Sequence, residues 1–78
     1  ITGFAGGVDG REIEVINRGT DDIDIQHQNA GSTAENRIIS PTGGDIILSQ
    51  YDTLKFRYYA GSIDRWVIVG GTALRVFA

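Results

Sequence analysis

The apolar positions of this chain recur at every second residue. Ile13 and Val15 alternate with Glu12 and Glu14, and Ile23 and Ile25 alternate with Asp22, Asp24 and Gln26. Leu54, Phe56 and Tyr58 alternate with Lys55 and Arg57, and Trp66 and Ile68 with Val67 and Val69. Ile46 and Leu48 flank Ile47, and Leu74, Val76 and Ala78 alternate with Arg75 and Phe77. A period of two marks strands, because successive side chains leave opposite faces of an extended backbone. No window carries the 3.6-residue spacing of an amphipathic helix. Turn signals punctuate the runs at Gly6-Gly7, Asp9-Gly10, Arg18-Gly19, Gly43-Gly44, Gly61-Ser62 and Gly70-Gly71. Pro41 falls between runs, where its missing N–H costs no ladder bond. The spacing predicts an all-β fold, a compact antiparallel β-sandwich or β-prism-like domain of about seven to eight short strands.

Three runs are apolar on both faces: Ile46 to Leu48, Trp66 to Val69 and Ala73 to Ala78. A sheet with one wet face shows clean alternation, so these strands are expected to be covered twice. The last run, "TALRVFA", would be an apolar edge strand in need of cover. Length sharpens the point. The 78 residues make one domain, and a domain this small buries only about 60% of its unfolded surface. Small folds recruit disulfides, a metal or a second copy. The chain has no cysteine, which excludes disulfides and thiolate metal sites, and its single His27 cannot build a histidine-rich zinc site. Self-association is the remaining support, and neither a metal nor a cofactor is expected.

The net charge is −3 and the pI about 4.8, with the basic residues scattered along the chain. That balance argues against a nucleic-acid partner, which needs a basic face. No apolar run approaches the ~20 residues that insert into a membrane. The chain opens on Ile1 without Met and without a basic leader, and reads as a fragment or C-terminal module of a longer protein.

A series of short motifs runs in order from Gly7 to Val69. Gly10-Arg11 comes first, then Asn17-Arg18-Gly19, the alternating strand Ile23 to His27, Ser32 to Arg37, and Pro41 to Asp45. Tyr58 or Tyr59 and then Arg65-Trp66 close it. In order and spacing the series resembles a recurrent small β domain of tailed-bacteriophage virion proteins, found in tail fibres, tail spikes, head fibres or decoration proteins and other trimeric appendages. Two positions depart from that pattern. Tyr51-Asp52 stand where it more often has a Pro-Asn or Gly-Asp turn, and an apolar tail is added after Val69. The resemblance implies a homotrimeric structural module of the virion that contacts other capsid or tail proteins and is not an enzyme. The alternative is a receptor- or glycan-binding tip domain for host adsorption.

"STAENR", Ser32 to Arg37, offers two hydroxyls, with His27 the only imidazole. Nucleophilic catalysis also needs an orienting group and an oxyanion site, and nothing here resembles either. A packed corner fits better. Ser32 or Thr33 would cap a short helical turn with Glu35 near its third position. Asn36 would bond turn backbone, and the planar fork of Arg37 would bond a carboxylate or several carbonyls across a subunit boundary. "DDID", Asp21 to Asp24, has the carboxylates that attract Ca²⁺ but not the spacing of a calcium loop, and reads as a solvated strand face.

His27 shares the parity of Ile23 and Ile25, so it is expected in the core or at an interface, where titration near neutrality would make it a pH-sensitive contact. Tyr58 and Trp66 fall on inward parities, with Arg65-Trp66 as a packing or cation–π pair. Tyr51 and Tyr59 are the exposed aromatics and the candidate ligand contacts for a host glycan. Phe77, in the last run, joins Asn36, Arg37, His27 and Trp66 as an interface or packing candidate. "GFAGGVDG", Gly3 to Gly10, lacks the Gly-Lys-Ser/Thr of a phosphate loop and reads as close backbone approach or a flexible lead-in.

Overall fold

The structure, a computed structural model, describes residues 1–77. Its six strands are β1 (Glu12–Ile16), β2 (Ile23–Ile25), β3 (Ile38–Ile39), β4 (Ile46–Leu48), β5 (Thr53–Tyr59) and β6 (Arg65–Gly70). Short 3-10 turns lie at Ala34–Asn36 and Thr72–Phe77. The strands form a four-stranded sheet in the order β1-β5-β6-β3 and a two-stranded sheet of β2 and β4. The domain is therefore small and β-rich, as the period of two predicts.

Period two sorts the long strands as expected. In β5, Leu54, Phe56 and Tyr58 are buried while Lys55, Arg57 and Tyr59 face out. In β6, Trp66 and Ile68 are buried. With Ile38 from β3, Ile25 from β2, and Ile46 and Leu48 from β4, they form one core to which both sheets contribute. Each fully buried large side chain contributes roughly 1.5–3 kcal/mol.

Antiparallel pairing joins β1 to β5, β5 to β6 and β2 to β4. β1 enters the sheet through a bulge. The Gly10 N–H reaches the Tyr58 carbonyl at 2.8 Å while the Tyr58 N–H reaches the Arg11 carbonyl at 2.9 Å, so two residues face one. Gly10 sits at φ +82°, a conformation that glycine adopts without steric cost.

Three expectations need correction. Six strands form among the described residues, against seven to eight. The pairing is not wholly antiparallel, because β3 runs parallel to β6. And "TALRVFA" is not an edge strand: Thr72–Phe77 coil into a 3-10 turn, which ends on Phe77, and Ala78 lies outside the described residues. The cause sits just upstream. Gly71 holds φ +125° and passes so close to β5 that a Cβ there would lie 2.3 Å from the Thr53 carbonyl oxygen. Thr72 Oγ1 then accepts the Thr53 N–H at 2.9 Å and donates to Asp52 Oδ1 at 3.2 Å. The chain is folded back onto the start of β5, and Ala73 is buried there against the core.

Candidate functional site

The corner between β2 and β3 carries the densest set of long-range bonds around the motif residues. Its turn, Ala34–Asn36, is a single 3-10 loop closed by the Asn36 N–H on the Thr33 carbonyl (2.9 Å) and the Arg37 N–H on the Ala34 carbonyl (3.2 Å). Thr33 stands at the cap position but makes no side-chain cap bond, so the capping box expected with Glu35 does not form. Arg37 is half-buried, and its Nε donates to the Ser32 carbonyl at 3.0 Å. This one bond ties the two ends of the corner together.

This corner seats the beginning of the chain. Thr2 and Ser32 share a hydroxyl–hydroxyl bond of 2.7 Å. Gly3 bridges Arg37 in antiparallel fashion, and the Phe4 N–H meets the Asn36 carbonyl at 3.0 Å. Asn36 therefore acts through its main chain. The Phe4 ring drops edge-on between Phe56 (5.0 Å) and Trp66 (5.8 Å), and the Trp66 indole Nε1–H donates to the Phe4 carbonyl at 2.9 Å. One step earlier, the Ile1 nitrogen donates to the Asp24 carbonyl and the Ile1 carbonyl accepts the Gln26 N–H, so the segment also extends beside β2. Gly3 is obligatory by space: a Cβ would lie 2.2 Å from the Asn36 carbonyl oxygen. Gly7 meets the same limit against the Tyr58 ring, also at 2.2 Å. Close backbone approach, one of the two readings of "GFAGGVDG", describes Gly3 and Gly7, while Ala5 and Gly6 between them are exposed.

His27 lies beside this corner. Its ring Nδ1 accepts the Ser40 N–H at 2.9 Å, which requires that nitrogen to be unprotonated. Its own N–H goes to Asp45 Oδ1 at 2.8 Å, and it bridges Ile38. His27 and Ser32 thus take different partners, and no nucleophile–base pair forms between them. Tyr58 is buried, and its hydroxyl donates to the Glu35 carbonyl at 2.8 Å, tying β5 to the corner.

The remaining candidates scatter. Arg65 does not pair with Trp66 as expected. Its Nε donates to Gln28 Oε1 at 2.9 Å and its Nη1 to the Ile63 and Asp64 carbonyls. The cation–π contact of this sheet is Arg57 over Tyr59 at 5.9 Å. Tyr51 is 69% exposed at the turn before β5, in the left-handed region at φ +66°. Tyr59 is exposed on the outer face of the sheet, far along β5 from Tyr51. Asp21 and Asp22 are exposed, while Asp24 has one carboxylate oxygen bonded to Gln26 Nε2 and the other, Oδ1, buried without a hydrogen-bond partner. No group of three His or acidic side chains that could hold a metal converges among the described residues, and no enclosed cavity opens among them.

Sequence reasoning missed Phe4, Thr2 and Gly3 as the occupants of the corner. The available signal was Phe4 itself, a large aromatic isolated within a glycine-rich stretch. Compared with known proteins, the chain matches no protein-family model, no curated protein and no solved structure.

Proposed function

We propose that the domain is a structural assembly module of a tailed-phage virion, a homotrimeric part of a fibre, spike or capsid surface, with no catalytic role. The observation that carries the self-association is the outer face of the four-stranded sheet. Ile16, Tyr59 and Val69 stand 50%, 39% and 44% exposed on the face opposite the core. Ile47 adds a further open position at 48% on the smaller sheet. Val69 and Ile47 are the second faces of two of the runs that are apolar on both sides, Ile16 and Tyr59 add apolar surface beside Val69's sheet, and covering these positions removes apolar area from water at about 25 cal/mol per Å². The virion setting rests on the resemblance of the ordered motifs from Gly10-Arg11 to Arg65-Trp66.

Sedimentation equilibrium over a wide concentration range tests the assembly. The expected mass is three times 8.4 kDa. A single-chain mass at every concentration overturns this reading.

A second reading, host or glycan adsorption by a tip domain, is favoured by Tyr51 alone. It presents an aromatic face to solvent from a backbone conformation that costs energy, and such outliers concentrate at binding sites. Loss of adsorption in Tyr51→Ala with unchanged oligomer mass is the result that distinguishes it.

A further inference from the structure

We propose that the corner formed by Ser32, Asn36 and Trp66 takes the Thr2–Phe4 segment of a second copy, so that neighbouring chains are joined by exchanged Thr2–Phe4 arms. The proposal names the joint of the assembly put forward above and rests on that reading.

Three observations carry it. First, the docking contacts of residues 1–4 are made with parts of the chain far away in sequence. Ile1 meets Asp24 and Gln26, Thr2 meets Ser32, Gly3 meets Arg37, and Phe4 meets Asn36, Phe56 and Trp66. The seat recognises the arm and not its tether. Second, the tether is built to turn. Ala5 and Gly6 are exposed, neither lies in a strand, and Gly6 holds φ +82°. One side-chain bond holds it, from Arg11 Nη1 to the Gly6 carbonyl at 2.6 Å. An exchanged arm reproduces every seat contact, which makes exchange a low-cost route to an oligomer.

Third, the seat is selective for this chain's own arm. It admits only glycine opposite the Asn36 carbonyl, where a Cβ would come to 2.2 Å. It packs an aromatic ring one residue later edge-on against both Phe56 and Trp66. It also offers a hydroxyl to the residue before the glycine. Thr2-Gly3-Phe4 meets all three conditions.

The chain has no cysteine, so introduced ones report cleanly. Thr2→Cys and Ser32→Cys are made separately, mixed in equal amounts, unfolded and refolded together at high concentration. Mild oxidation and non-reducing mass spectrometry then identify the linked residues. Exchange predicts a mixed dimer, residue 2 of one chain to residue 32 of the other, more abundant than the two like-with-like dimers together. Random oxidation gives no such excess and overturns the proposal.

A variant carrying both cysteines shows that the two sites tolerate the change and can be bridged. Oxidised at high concentration it should give covalent oligomers, and solely internal links overturn the exchange. If the unmodified chain associates but these interchain links are missing, the arm exchange falls and the assembly reading stands. If the unmodified chain stays monomeric throughout, both fall.

Discussion

Trp66 donates its indole N–H to the carbonyl of Phe4, 62 residues earlier in the chain, and meets the Phe4 ring edge-on at 5.8 Å. A single residue near the start of the sequence thus fills one end of the core and satisfies the polar atom of the largest buried side chain. The opening segment is an integral part of the fold.

Phe4→Ala should therefore behave as a core truncation. Fully buried Phe→Ala changes cost about 3–5 kcal/mol, and the half-buried position of Phe4 brings the expectation to about 2–3 kcal/mol. For a domain of this size that lowers Tm by roughly 10–20 °C. Thermal unfolding followed by Trp66 fluorescence measures it. A shift of only a degree or two would mean that the segment is dispensable for the fold.

Asn17 is the other position where one polar side chain holds distant segments together. It is 3% exposed. Its Nδ2 donates to the Asp21 carbonyl at 2.7 Å and the Leu48 carbonyl at 2.8 Å, while its Oδ1 accepts the Gly19 N–H at 2.9 Å. Asn17→Asp keeps the shape, removes both donations and buries a carboxylate against two carbonyls. The expected loss is about 2–4 kcal/mol, since each buried group left unpaired costs about 1–3 kcal/mol. Chemical denaturation of the variant beside the unmodified chain reads this directly, and equal midpoints would contradict it.

The strands that carry the core were legible because burial acts on alternate residues there. Ile13 and Val15, Leu54 to Tyr58, and Trp66 with Ile68 all lie on the faces that their spacing indicates. The tail misled for a physical reason. Leu74 to Ala78 alternates like a strand, but Gly71 turns the chain against Thr53, and Thr72 takes over the first ladder position. β3, two residues long and parallel to β6, is too short to show a period. The corner was legible as a packed corner in Ser32 to Arg37. Its occupant was not, because the fit of Gly3 and Phe4 depends on a seat assembled from residues far along the chain.

Tyr51 and Gly71 make a matched test of backbone strain. Tyr51 adopts φ +66° while its side chain is largely in solvent. A left-handed conformation costs an ordinary L-residue about 1–2 kcal/mol and costs glycine almost nothing. Tyr51→Gly should therefore be neutral or stabilising, by up to about 1 kcal/mol after the greater chain entropy of glycine is counted. Gly71→Ala should do the opposite. It combines φ +125° with a Cβ lying 2.3 Å from the Thr53 carbonyl oxygen and 2.7 Å from the Leu54 Cα. Calorimetry on the two variants should move Tm in opposite directions. Destabilisation by Tyr51→Gly would show that the phenol makes a contact worth more than the strain.

Tyr58 sets the behaviour of the domain in alkali. Burial raises the pKa of its phenol above the usual 10.0, and the negative charges of Asp64 and Glu35 add to the rise while Arg65 opposes it. The hydroxyl also donates to the Glu35 carbonyl, a bond that only the neutral phenol can make. The sign follows from linkage. The folded chain holds this proton more tightly than the unfolded chain does, so the contribution to stability is fully present below pH 10 and is lost as pH rises through the folded-state value. Stability should thus be level with respect to this group up to about pH 10 and fall beyond it. Tyr58→Phe should lose the Glu35 bond, about 0.5–1.5 kcal/mol at neutral pH, and also lose that alkaline dependence. Denaturation midpoints of both proteins across the alkaline range, with tyrosinate absorbance followed in parallel, separate the two effects. If Tyr58→Phe falls away in alkali as steeply as the unmodified chain, the dependence belongs to other groups, and the link from Tyr58 to the corner carries no proton coupling.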